Sequence, residues 1–286
     1  MEAPENLVQV IQTEAEWLAE SLQTLPPAAW STPSACDLWE VGDVVAHLVF
    51  VAEFYADVIA GGVRGDVSPP ARFPGIDLAD RSSFDAYIGQ TALAYRKRLG
   101  AQLLPTFRAR FAALHRLMAN LRPHEWEQPC WRFRWFGHPP ARYFLVMTIQ
   151  ELAIHGWDLR AGLEPFPRLS DACLPVLVER AMQRFRLIPT LASFRLSTTP
   201  PGPVRYRFAV RGTVPGTYDF VVEEAQVRLE PAGSAMANIT FRCETDTFIL
   251  MMYKRLTLHE ATAAGRVSVD GEGGLSADFD QWLRGA

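Results

Sequence analysis

Apolar residues recur at helical spacing through the first half of the chain. In residues 5–25, Leu7, Val8, Ile11, Ala15, Leu18 and Leu22 fall on one stripe, and Pro26-Pro27 stops the run. A second run, 41–60, is apolar almost throughout and is expected to end at Gly61-Gly62. Residues 61–82 are rich in Gly, Pro and charge and read as a long loop. Residues 83–120 keep a helical phase from Phe84 through Leu99, Phe107 and Leu114 to Met118, as one long helix or two broken near Pro105. An irregular stretch dense in Trp, Pro and Gly follows at 122–140. Residues 141–161 form the next helix, closed by Gly162. Helices joined by long connections predict an all-α four-helix bundle over residues 1–165.

The period changes after Gly162. Pro165 and Pro167 mark a linker, and 171–187 is helical. Short β-type runs then appear at 193–199, 204–210, 218–223, 226–230 and 238–242, separated by Pro200-Pro201-Gly202-Pro203 and Pro215-Gly216. Helices at 247–253 and 258–264, a strand at 267–270 and a closing helix at 275–283 complete an α+β domain expected over residues 166–286.

Composition narrows the function classes. Of 286 residues, 49% are hydrophobic and 21% charged, which supports a sizeable core. A formal net charge of −4 argues against a nucleic-acid partner. The basic groups at Arg96, Lys97 and Arg98 and at Arg108, Arg110 and Arg116 read as solvated helix faces. Residues 1–20 lack the pattern of a secretory signal. The apolar run 41–60 is interrupted by Asp43, His47, Glu53 and Asp57, so no membrane span is predicted. Cys36, Cys130, Cys173 and Cys243 are scattered with no Cys-x-x-Cys pair, which fits a reducing cytoplasm better than a thiolate metal site.

The chemistry concentrates in the helix at 141–161. Glu151 and His155 stand four residues apart, on one face, among Phe144, Leu145, Val146, Met147, Ile149, Leu152 and Ile154. A carboxylate in such company is costly unless a positive or donating group meets it. A metal ion held with a third ligand is one solution. An arginine partner for Glu151 beside an ordinary core histidine is the other, because Glu-x-x-x-His is a loose pattern. His47, in phase with Val44, Val51 and Phe54 on a second helix, is the best candidate for the third ligand, a satisfied core histidine being the plainer alternative. Two imidazoles and one carboxylate leave open positions, as catalytic sites do, and suit zinc, iron, nickel or manganese. Asp43, one turn before His47, and Asp158, three residues after His155, are placed to hold an imidazole N–H, although Asp43 fits better as a helix cap.

Two segments carry a family resemblance. The run Leu38-Trp39-Glu40-Val41-Gly42-Asp43-Val44-Val45-Ala46-His47-Leu48 resembles the Trp-x-x-x-Asp-x-x-x-His-Leu segment of DinB-like, mycothiol-dependent maleylpyruvate isomerase relatives. Glu151 to His155, with Asp158 and Leu159, resembles their Glu-x-x-x-His-x-x-Asp-Leu segment, and residues 245–271 look like the sterol-carrier-like domain that often follows. The resemblance implies a divalent metal, typically zinc, on His47, Glu151 and His155, and a low-molecular-weight thiol as cosubstrate. In the isomerases the metal favours the thiolate, which adds to a conjugated double bond and leaves after rotation; relatives transfer the thiol instead. A small-molecule substrate is expected, with a monomer or weak homodimer. Arg72, Arg81, Arg132 and Arg134 are the arginines available for a substrate carboxylate, Arg81 foremost. A metal-dependent hydrolase on the same ligands, or an apolar-ligand binder working through the C-terminal domain, are the alternatives.

Overall fold

The computed structural model describes residues 4–36, 38–71, 81–132, 137–187, 200, 202–224, 226–233, 235–272 and 274–283, with the backbone alone at 81–84. The chain divides into two compact units, Met1–Arg168 and Leu169–Ala286. The division lies just past the double-proline linker, three residues beyond the expected 165/166 boundary.

The first unit is helical, with α1 at Pro4–Gln23, α2 at Val41–Val63, α3 at Arg81–Leu99, α4 at Leu103–Ala119 and α5 at Tyr143–Ala161. Helix α1 packs on α4 and α5; α2 packs on α3, α4 and α5. The stripe Leu7, Val8, Ile11, Ala15, Leu18 and Leu22 is buried, as its spacing predicts. Helix α2 is the centre of the unit. By length and composition it would pass for a membrane span, but 83% of its most apolar window is buried inside the unit.

Both ends of α2 are set by local chemistry. At its start the Glu40 side chain accepts from the backbone of Asp43 while Asp43 accepts from the Glu40 N–H at 2.9 Å, a reciprocal cap that satisfies two orphan donors. Its end lies beyond the expected glycine pair. Gly61-Gly62 continues the helix to Val63, because a side chain at position 62 would meet Cys130 Sγ at 2.5 Å. The turn is made by Gly65, whose φ of +77° is the left-handed conformation that glycine adopts without penalty.

The stretch read as one or two helices is two. The break falls at Gly100–Gln102, a short 3-10 turn, so the unit has five α-helices among the described residues where four were expected. Pro105 lies in the first turn of α4, where a missing N–H costs nothing.

The basic groups read as solvated faces tie helices together. Arg96 of α3 reaches Glu40 at 2.7 Å and Asp43 at 3.1 Å. Arg110 of α4 reaches the buried Glu53 of α2 at 2.6 Å, and Tyr95 of α3 donates to the same carboxylate at 2.8 Å. Arg108 donates to Gln23 and to the Ala19 carbonyl of α1.

The second unit contains α6 (Leu174–Leu187), β1 (Val204–Arg211), β2 (Gly216–Glu223), β3 (Gln226–Glu230), β4 (Ile239–Glu244), α7 (Thr245–Met252), α8 (Leu258–Ala263), β5 (Val267–Gly271) and α9 (Gly274–Trp282). Its sheet runs β3-β2-β1-β4-β5. Neighbours are antiparallel except β1 and β4, which pair in parallel from Tyr206↔Ile239 to Arg211↔Glu244. Alternate residues of β1, Tyr206, Phe208 and Val210, face an aromatic core, where Phe208 lies 4.9 Å from Phe241 and 5.3 Å from Phe279. Phe248 to Met252 and Phe220 to Val222 are buried. On the other face Arg205 and Arg207 converge on Asp219 at 3.0 and 2.7 Å. The run expected as a strand at 193–199 lies outside the described residues.

Candidate metal centre

Helices α2 and α5 pack against each other, and the contact brings His47 and Glu151 together across 104 residues of sequence. His47 Nε2 lies 3.1 Å from Glu151 Oε2, and His155 Nε2 lies 3.3 Å from the same oxygen. The two imidazole rings stand 4.8 Å apart at 74°. One ligand atom from each of His47, Glu151 and His155 lies within 4.8 Å of the others, close enough for a single ion. His47 is buried, and Glu151 and His155 are mostly covered.

The surroundings divide the protons unequally. Burial pushes the His47 pKa below the ordinary histidine value, and the hydrogen bond to Glu151 only partly opposes it. Burial also opposes charge on His155, but hydrogen bonds with Asp158, Cys36 and Glu151 outweigh it and raise its pKa well above the usual range. Burial works against the Glu151 carboxylate as well; its bonds to His155 and His47 nonetheless hold its pKa below the usual range. In the metal-free centre these surroundings favour a proton on His155 over one on His47, and the ionised form of Glu151.

The donor set fits a divalent cation. Asp158, fully buried, accepts from His155 Nδ1 at 2.9 Å. A histidine held this way, once its Nε2 proton is displaced, presents a lone pair to an ion, which is the usual carboxylate–histidine–metal arrangement. His47 differs, because its Nδ1 is buried with no hydrogen-bond partner among the described residues. The Trp39 ring packs on both imidazoles, 5.1 Å from His47 and 6.3 Å from His155. Nitrogen and oxygen donors of this kind suit zinc and several first-row ions.

The loop carrying Trp39 is fastened to the end of α5. Ala35 N–H donates to the Asp158 carbonyl at 3.0 Å. A side chain on Gly162 would lie 2.2 Å from the Pro33 carbonyl, so this glycine closes α5 through close approach; its φ of −77° is ordinary. The same loop sets Cys36 beside His155 and Asp158, where the three offer a second group of ligand atoms within 4.8 Å of one another.

The other expected site residues fall differently. Asp43 accepts from Glu40 and pairs with Arg96, the capping role its position suggested. The Arg81 side chain, Arg72 and Arg134 lie outside the described residues. Arg132 is described: its guanidinium stacks 5.2 Å over the Tyr143 ring. Sequence reasoning missed Tyr55, whose hydroxyl donates to Glu151 Oε1 at 3.4 Å. Its place eight residues after His47 puts it two turns along the same helix, but that spacing does not say which group its hydroxyl meets. A cavity of about 830 Å³ opens near Trp30, Asp43, Leu93, Arg96 and Lys97, and none of the three clustered ligands lines it.

The fold is a helical unit followed by an α+β unit. Residues 11–160 match the mycothiol maleylpyruvate isomerase N-terminal domain, more than half of the chain, and the protein belongs to that family. Among solved structures, the mycothiol-dependent maleylpyruvate isomerase superposes with a TM-score of 0.64 at 13% identity, covering 95% of each chain. A histidine-to-alanine mutant of that isomerase gives 0.65 at 12% identity over the same share. Sterol carrier protein 2 like 2 from Aedes aegypti aligns with 37% of this chain and 93% of its own, at 16% identity and a TM-score of 0.26. No curated protein matches the sequence.

Proposed function

We propose that the protein is a metal-dependent enzyme that works with a low-molecular-weight thiol, as a maleylpyruvate-isomerase-like cis–trans isomerase or a thiol S-transferase. The observation that carries this reading is the convergence of His47, Glu151 and His155 on one point from α2 and α5. These three residues would hold a divalent cation, zinc as the family resemblance implies, and the bound cation would supply Lewis acidity that favours the anionic form of a thiol. Asp158 sets the His155 tautomer through Nδ1. Trp39 covers the two imidazoles and narrows the access of water to them. With three protein donors, positions stay open for exogenous ligands, as a catalytic rather than a structural site requires. Family membership supports a thiol as one of these ligands, with a small conjugated acid as the substrate class to try first.

The experiment is metal analysis of the purified protein, followed by turnover of a cis-configured conjugated acid with and without added thiol. One equivalent of divalent metal, its loss in His47→Ala and thiol-dependent turnover are the expected results. A protein without metal, and indifferent to His47→Ala, overturns the reading. Turnover that needs no thiol and yields products cleaved by water assigns the same site to hydrolysis.

A further inference from the structure

The two oxygens of Glu151 have different company. Oε2 meets both imidazole nitrogens, while Oε1 meets the hydroxyl of Tyr55 at 3.4 Å. We infer that Tyr55 is a positioning residue that engages the second oxygen of Glu151, so that this carboxylate offers the cation one oxygen instead of two. This inference rests on the metal reading above and adds a control on how many coordination positions remain open.

The chemistry follows from the geometry. A glutamate free of other bonds can chelate an ion through both oxygens, and each oxygen so used removes a position from thiol or substrate. A hydroxyl donating to Oε1 competes with the cation for that lone pair. Tyr55 is fixed for this task. It is 3% exposed, and its ring packs 5.3 Å from Phe144 of α5 and 5.8 Å from Phe54. The 3.4 Å contact is longer than the roughly 2.7–2.8 Å of an ordinary O–H···O bond. Such contacts in ligand-free sites commonly tighten when the site is loaded.

The test is Tyr55→Phe, which keeps the ring and its packing, with Tyr95→Phe as the control. Tyr95 lies on α3 and bonds Glu53 of α2, away from the three ligands. Each protein is loaded with Co(II), and its visible spectrum and affinity are read by titration. Tyr55→Phe should lose intensity in the visible bands, the sign of a higher coordination number as the freed Oε1 joins the ion, and should bind Co(II) no more weakly than the wild type. Tyr95→Phe should match the wild type in both. An unchanged Tyr55→Phe spectrum, or an equal loss of intensity in Tyr95→Phe, sinks the inference and leaves the metal reading standing. A wild-type protein that takes up no Co(II) sinks both.

Discussion

Asp158 holds the back of His155: its Oδ2 accepts from Nδ1 at 2.9 Å, and the carboxylate is fully buried. The bond does two things at once. It turns the imidazole so that Nε2 faces Glu151 and His47, and it supports positive charge on the ring while no cation is present. Replacing Asp158 by Asn keeps the shape and removes the charge. Metal affinity, measured by competition with a chromogenic chelator, should fall roughly 10- to 100-fold, the usual loss when an orienting partner is removed.

The metal-free centre has an unusual pH signature. His155 has a raised pKa, so its contribution to stability is complete below about 6.5 and is lost as pH rises through the raised value. Two groups act in the opposite sense: Glu151, held down by its bonds to both histidines, adds its share at lower pH, complete above about 4.5, and His47, pushed down by burial, adds stability as pH rises toward about 6.5. Urea denaturation of the metal-free protein should therefore show a maximum just above that pH and a decline in mild alkali. Metal displaces the His155 proton, so affinity for the ion should rise with pH over the range in which the metal-free protein weakens. Calorimetry in buffers of different ionisation enthalpy should detect the released proton. A binding reaction with no proton release contradicts the assignment.

Metal should also be a stabiliser of the helical unit. Its ligands join α2 to α5, and an ion that binds only the folded form adds about 2.7 kcal/mol at a hundredfold excess over Kd. A chelator should lower the thermal midpoint of the wild type and leave that of His47→Ala unchanged.

Glu53 is buried in α2 and pairs with Arg110, whose own side chain is half exposed. Arg110→Ala removes the cation that this buried carboxylate pairs with, while Tyr95 still donates to it. The expected loss is about 1–3 kcal/mol, the desolvation cost of an under-satisfied buried group, read as a lower urea midpoint at unchanged slope.

Gly162→Ala tests the seam between the 33–39 loop and α5. The added carbon would lie 2.2 Å from the Pro33 carbonyl, so the loop must give way. A loss of about 1–3 kcal/mol is expected from the overpacking, together with a change in Trp39 fluorescence as the ring shifts on the histidines.

The parts of this molecule written in a local period could be read in advance. The α1 stripe and the strands at 204–210, 226–230 and 267–270 appear where spacing placed them, because each buries one face with period 3.6 or 2. The pairing of His47 with Glu151 and His155 was legible for another reason: two short motifs stood on two apolar helices. Contacts that join distant segments at a single point were not legible. Arg96 and Arg110 look like surface cations until α3 and α4 are docked on Glu40, Asp43 and Glu53. Gly61-Gly62 looked like a stop and is instead a place where Cys130 comes close. Tyr55 looked like one more core aromatic, since nothing in a helical stripe reveals which hydroxyl will meet a carboxylate 96 residues later.

The spacing of the ligands also has a consequence for synthesis. His47 and Glu151 are separated by 104 positions, with α3, α4 and the irregular stretch between them. A ribosome-tethered chain that ends before α5 has one imidazole of the three donors and no means of retaining an ion. Capture of the cation therefore waits until the last helix of the first unit has emerged, so the apo polypeptide must be able to settle α1, α2 and α4 without that cross-link.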